Sequence, residues 1–590
     1  MTRRELALLL ATGAAALAAR VPTLAQPLVE DHAFRQTQTA YTALLFHQGG
    51  IDLLRPKLPT LAASGDFPLE LPLFQANAAL VMGAGVPPDA AMRLTALFWW
   101  LVTAVLLWLL VRRIGGTTAA TAAWLAFIAS PFGLIWSRAS LIEYLATAGA
   151  VGAAWTGIAW RASGARAHWT ASVALATVAM LVKPSTALFW LAPQLLHRGE
   201  REGPWLRSRL RPASLALAAV PAAAAVPWVL YGDAVRRADI ATAFTTGAEQ
   251  REILFGTLAQ RFDLGQWATA LTPTVQLVVG APLVPFAIAG AWYALRSRDR
   301  LAWLGVLVAA LGPLVAFFDL YAHHEYYQAA ISPALSALVG MGAAWLIARW
   351  PARARPRATA LLVTAGALAL VLAAPAVARI YGGVVDPEGI LPRAAELAGV
   401  SRADDRVLVL GRSYSPAIHY YARRRGLALP PALAEQDRVD DLVARGFDVV
   451  AAWDPYQDPV VIARHWPWTG AIGPRQYAVA AAPAGLRGAR VRATDDVAAF
   501  DAAARRGRPL AGVPAAIPCD GRTVALPPAS AATWLRLDVS GLDPRSLVIL
   551  DGALAPLPAR TVVAATGAAA IACTRGGTLR VLSAVDASLE

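Results

Sequence analysis

The stretch VEDHAFRQTQTA, residues 29–40, sets two acids, a histidine and an arginine directly after the first hydrophobic segment. Glu30 or Asp31 could supply a general base, since a carboxylate within hydrogen-bond reach takes a proton from an attacking hydroxyl. Arg35 follows Asp31 by four residues, on the same face if the stretch is helical, and its planar fork suits phosphate. Groups of the same kinds recur along the chain: Asp66 and Glu70, Arg93, then Arg138 and Glu143 in SRASLIEY, Lys183 in LVKPST, and His323, His324 and Tyr326 in YAHHEYYQ. Acids with arginines suit a reaction on a phosphate-linked donor, with Asp31, Glu30 and Asp66 as candidate catalytic carboxylates. Arg35, Arg93, Arg138 and Lys183 are the candidate phosphate ligands, and His32, Glu143, His323, His324 and Tyr326 the candidate pocket residues. Glu30, Glu70 and His47 read equally well as solvated loop groups, and Arg93 and Arg138 as anchors of span ends. His323 and His324 with Asp66 could bind a divalent metal such as zinc or manganese; alternatively, one histidine bonds donor or backbone and the other caps a span.

What positions these groups is a membrane protein. Of 590 residues 57% are hydrophobic and 16% charged, and mean hydropathy is +0.47; a soluble chain carries about a quarter charged residues. The formal charge of +14 sits in short clusters between apolar runs (3–4, 112–113, 161–166, 198–211, 296–300, 349–357). That is a topology signal rather than one basic face for nucleic acid. About eleven spans of roughly 17–25 residues are expected near 5–25, 92–111, 117–136, 142–160, 169–182, 185–197, 213–231, 270–294, 301–319, 328–348 and 358–378. The first resembles a signal peptide but reads better as a retained span. With the N-terminus inside, every basic cluster is cytoplasmic. The outer loops 26–91 and 232–269 and the tail then share the outer face. Ionisable groups at a bilayer boundary are costly and mark function.

The expected division is a membrane domain over 1–380 and a soluble α/β or α+β domain over 381–590. RVLVLGRSYSPAIHYYARRRGL reads as strand, turn and helix, GFDVVAAW as a strand, and TWLRLDVSGL as a half-buried strand. The only cysteines, Cys519 and Cys573, lie there. On an outer face they would pair; two buried thiols are the alternative.

In order and spacing, EDHAFRQTQTA, IDLLRP, GDFPLELPLFQ, AAMRL, SRASLIEY, LVKPST and HHEYYQAAISP resemble the GT-C superfamily of membrane glycosyltransferases. The branch they resemble is that of the protein O-mannosyltransferases and aminoarabinose transferases, over roughly residues 1–380. The resemblance implies a polyprenyl-phosphate-linked sugar held in membrane lipid, and a glycan, lipid or protein acceptor. The hydroxyl would attack at the outer face of a bacterial inner membrane, by direct displacement with inversion. It also implies that the first-loop acid is catalytic, matched by Glu30 and Asp31 with Asp31 favoured, and that Asp66 matches the second family acid. The aminoarabinose enzymes carry Glu-Lys-Pro there, whereas this chain has Asp66-Phe67-Pro68. The missing lysine argues against aminoarabinose as the sugar and leaves its phosphate contact to Arg35, Arg93 or Lys183.

Three other readings compete. A transporter or flippase of lipid-linked sugars would show repeats with broken helices. A glycan ligase or polymerase would rely on a late loop rather than the first. A tail-borne sensor would need fewer spans.

Overall fold

The computed structural model describes residues 2–199, 210–239 and 249–401 continuously. Beyond them it describes 403–411, 414–429, 441–442, 445, 447–453, 477–481, 490–494, 497–519, 523–530, 532–538, 547–550, 553–556, 562–566, 570–573 and 577–588.

Helices fall on all the apolar segments expected to span. By length and composition, five of the described helices could cross a membrane alone: Arg3–Thr23, Pro88–Ile128, Pro212–Arg237, Ser332–Arg349 and Ala352–Tyr381. The Pro88–Ile128 run is two helices joined at Gly116, whose φ of 83° lies in the left-handed region. Arg112 and Arg113 stand just before that turn.

One expected span is not continuous. Residues 270–294 are divided between Leu264–Val279, which ends in a π-helix over Thr274–Val279, and Ala281–Ala294, bent 81° at Gly280. Gly280 has φ 80°, and a Cβ there would meet the Ala369 Cβ at 2.5 Å. Its conformation and its neighbour both demand glycine.

The helix Ser332–Arg349 packs between the Pro88–Ile128 and Val284–Ala294 helices. Cβ atoms on Gly340 and Gly342 would strike the Ala119 and Phe286 carbonyls, so missing side chains set the close approach, as small residues do between membrane helices. A second break lies at Lys183, extended at φ −158°, between Arg166–Val182 and Pro184–Leu196. Pro184 starts the new helix at N1, where its missing N–H costs nothing.

The loop 26–91 contains the helices Ala33–Gly49 and Leu73–Gly83, and a bridge between Lys57 and Asp66. The expectation of Asp66 and Glu70 on one helical face fails. Residues 66–72 are not helical, because Pro68 and Pro72 bias the residues before them away from α geometry.

The C-terminal part is mixed. Arg406–Gly411 pairs in parallel with Arg425–Leu429 and Phe447–Trp453, and Phe447–Trp453 in parallel with Tyr477–Ala481. The sheet then continues antiparallel to ten strands, beside a second sheet of four. Cys519 and Cys573 form a disulfide, with Cα atoms 4.2 Å apart.

This part is seated on the loop 26–91. The Ala428 N–H donates to the Thr60 carbonyl at 2.9 Å, and the Tyr41 hydroxyl donates to the Arg424 carbonyl at 2.8 Å. Tyr420 and Tyr421 both donate to the Asp89 carboxylate, at 2.6 and 3.1 Å.

Candidate active site

The helix Ala33–Gly49 begins at His32, a non-glycine residue in the left-handed region (φ 56°, ψ 37°). Such a conformation costs on the order of 1 kcal/mol and persists only when its surroundings hold it. They do so on both sides. Before it, buried Glu30 accepts from Arg93 at 3.0 Å and Arg138 at 2.9 Å. After it, Gln36 donates to the Asp31 carbonyl at 3.0 Å while accepting from the Ser140 N–H at 3.1 Å.

Burial alone would raise the Glu30 carboxyl, but Arg93 and Arg138 outweigh it and hold the group below its ordinary value. Glu30 is therefore no solvated neighbour of Asp31. Arg93 also donates to the carbonyls of Gln26 and Pro27, at 3.0 and 2.8 Å. Both arginines are fully buried, and their described contacts serve to hold this loop.

Asp31 faces the other way. Its side chain is 28% exposed and pairs with Arg379, at the end of the last long helix. His32 lies against Tyr326, His324 and Trp136, with ring centroids 4.9, 5.5 and 5.7 Å away. Burial lowers the His32 imidazole, with Asp31 and Glu143 opposing that shift. His324 is pushed down to about 4 by burial and by the cations around it. Among the described residues its Nδ1 has no partner.

One turn along the helix, Arg35 pairs with Glu70 at 2.8 Å and reaches Gln38 at 3.1 Å. Gln38 in turn donates to the Tyr414 carbonyl at 2.7 Å, and the Tyr414 ring meets Phe34 edge-on at 5.2 Å. Opposite, the buried pair Glu143 and Lys183 joins a helix start to the Lys183 break. The Lys183 ammonium lies over the Tyr327 ring at 3.9 Å, and Glu143 and both tyrosines lie close enough to act on Arg35 electrostatically.

Four segments far apart in sequence thus converge: 31–38, 136–143, 183 and 324–327, with Tyr414 at the edge. Sequence reasoning missed Arg379, Tyr327, Trp136 and Tyr414, and left Glu70 as a loop charge. Arg379 stood out only as the last charge before the tail, and Tyr327 only as the neighbour of Tyr326.

Two expected members sit elsewhere. His323 is half-exposed on Asp319 at 3.1 Å. Asp66 pairs with Lys57 at 2.5 Å, so a lysine does stand beside this acid although the neighbouring position lacks one. Among the described residues no hydrogen bond or ion pair joins Asp66 to Asp31, Arg35 or His324. No three His, Cys, Asp or Glu side chains there gather as metal ligands would, so the expected grouping of His323, His324 and Asp66 does not form.

Residues 68–231 match the sequence profile of the family described as dolichyl-phosphate-mannose-protein mannosyltransferase. The structure is similar to that of ArnT from Cupriavidus metallidurans, solved bound to undecaprenyl phosphate. The TM-score is 0.52 and the identity 16%, over 71% of this chain and 85% of that one. The likeness is one of fold. It extends to the oligosaccharyltransferase of Archaeoglobus fulgidus, solved with zinc and sulfate, at TM-score 0.50 and 15% identity, over 78% of this chain and 69% of that one. No curated protein matches at the sequence level. The profile match contains Glu70, Arg93, Arg138, Glu143 and Lys183 but begins after Asp31 and Arg35. The roles of the first-loop residues are therefore argued from geometry.

Proposed function

We propose that the protein transfers a sugar from a polyprenyl-phosphate-linked donor to an acceptor hydroxyl at the outer face of the membrane. The observation that carries this reading is the convergence just described. One partly exposed carboxylate, Asp31, paired with Arg379, stands beside His32 at a site that Arg35 and Lys183 reach from separate segments, on a fold whose solved examples include one bound to a lipid phosphate.

In this reading Asp31 takes the acceptor proton as the oxygen attacks the anomeric carbon. The bond from that carbon to the phosphate oxygen breaks, and the leaving phosphate keeps its electron pair. Arg35, with Lys183 and Arg379 near it, stabilises that charge; fixed cations in a water-poor site are well placed for this. Arg93 and Arg138 contribute through Glu30 by holding the loop. No enzyme nucleophile is needed, so the anomeric centre inverts. Asp66 is the reserve candidate for the base.

The test is transfer by the full-length protein in lipid nanodiscs, using radiolabelled polyprenyl-phosphate sugars and cell-envelope acceptor fractions. The reading expects a labelled glycan that appears with the wild-type protein and not with Asp31→Asn. Equal labelling by both would remove Asp31 from the chemistry, and no labelling with any sugar would remove the reaction.

The bend at Gly280 favours a second reading, a flippase, because broken helices mark transporters. Movement of a fluorescent lipid-linked sugar across proteoliposomes, unaffected by Asp31→Asn, would support it.

A further inference from the structure

At the far end of the helix Ala33–Gly49, a cleft of about 690 Å³ opens between the first outer loop and the edge of the C-terminal sheet. Sixteen residues at roughly 1.5 Å each put Gly49, in its lining, about 24 Å along the helix axis from Ala33, the helix start beyond Asp31 and His32. The cleft exists because the two parts are joined there: Ala428 N–H donates to the Thr60 carbonyl, and Arg406 donates to the Ala63 carbonyl at 3.2 Å. Its size falls within the range of roughly 300–1,000 Å³ usual for ligand sites.

The lining has a definite chemistry. Phe46 and Phe447, both buried, contribute an apolar floor. Four cations border it: Arg55 and Lys57 from the loop, Arg406 and Arg425 from the sheet. Lys57 pairs with Asp66, and Arg406 lies over the Phe447 ring at 4.0 Å. Arg55 and Arg425 are exposed, and among the described residues neither has a carboxylate partner. The one acid in the lining, Asp52, accepts from the backbone N–H groups of Leu54 and Arg55, both at 3.0 Å. Asp239, which accepts from the Ser64 N–H at 2.8 Å, is not among the lining residues.

Two exposed arginine forks, one from the loop and one from the sheet, bordering an apolar floor fit a ring-bearing molecule that carries phosphate or carboxylate groups. We propose that this cleft binds an anionic segment of the acceptor, a phosphate- or carboxylate-bearing saccharide, remote from the reacting centre. The assignment rests on the transferase reading and deepens it: the loop carrying the candidate base at one end would grip the acceptor at the other. Binding energy from such a remote part of a substrate can be used to position the reacting part.

The experiment uses the full-length protein in neutral phosphatidylcholine nanodiscs, with fluorescein-tagged maltotriose phosphate and its unphosphorylated form as probes, read by anisotropy. The phosphorylated probe should bind at least tenfold more tightly, and its binding should weaken with salt, as exposed charge pairs do. Arg55→Ala/Arg425→Ala should lose at least tenfold of that affinity, while Asp31→Asn keeps it. If the double variant melts early, Arg55→Glu alone carries the test, because that side chain is at the exposed rim. Repeating the titration with phosphatidylglycerol in the disc separates two sources of the anion. Competition by the lipid in wild type but not in the double variant identifies a headgroup, and its absence identifies a free glycan. Equal affinity for both probes, or unchanged binding in the arginine variants, overturns the proposal. Donor hydrolysis without acceptor is measured in parallel. Its absence would count against the transferase reading and leave the anion site standing.

Discussion

Glu30 and Asp31 are neighbours in the chain with the same functional group, yet they occupy opposite environments. Glu30 is buried between two buried arginines, and each of its oxygens has a guanidinium within 3.0 Å. Asp31 is partly open and meets one arginine whose own side chain is 52% exposed. A carboxylate that must accept a proton needs a partner it can leave and a route for substrate. One that must hold a strained turn needs neither. The contrast gives Glu30 the architectural part and, under the proposed function, leaves the chemistry to Asp31.

The largest expected effect tests the open half of that contrast. Asp31→Asn keeps the shape and removes the base, so transfer should fall by about 10²–10⁴, the usual worth of general-base catalysis, with the melting temperature unchanged. Near-wild-type turnover would erase the distinction.

Glu30→Gln should act on stability instead. It leaves Arg93 and Arg138 buried without their counter-charge, and breaking a buried pair costs about 3–5 kcal/mol. Thermal unfolding in detergent should show an early transition, while turnover per folded molecule changes little. A variant as stable as wild type would mean that Glu30 is not locked.

Arg35→Ala sharpens the site's cation side. The donor KM should rise about tenfold, equivalent to about 1.4 kcal/mol, with a smaller change in kcat. An unchanged KM would move the phosphate contact to Lys183 or Arg379.

The smallest effect is a pH dependence. His324 titrates near 4 in the folded protein against about 6.5 when unfolded, so between those values the unfolded state binds the extra proton. Stability is then full above about pH 6.5 and declines as pH falls toward 4. His324→Phe should flatten that decline; an identical slope in the variant would show that other groups cause it.

Much of this was legible in the sequence. Apolar runs and arginine clusters gave the helices, because bilayer thickness and loop charge are written residue by residue. Counting spans led to the expectation that 31–35, 138–143, 183 and 323–326 lie together, and the segments do pack on one another, although His323 turned away to Asp319. Which of two adjacent acids is buried was not legible, since it depends on Arg93 and Arg138 arriving from helices more than sixty residues away. The break at Gly280 was hidden inside a uniformly apolar run. The Asp66–Glu70 face was misread because the periodicity was given more weight than Pro68 and Pro72. Tyr414 and Arg379 escaped because neither tail packing nor a helix end shows in local pattern.

The hydroxyls of Tyr420 and Tyr421 on Asp89 also have a consequence in time. Tyr420 and Asp89 are 331 residues apart, and at about 5–20 residues per second the ribosome needs roughly 20–60 s to travel from one to the other. During that interval the first loop waits without the sheet edge that seats it and without Tyr414 beside Phe34. These contacts form only in the last third of translation, so a nascent chain lacks them until its tail has arrived.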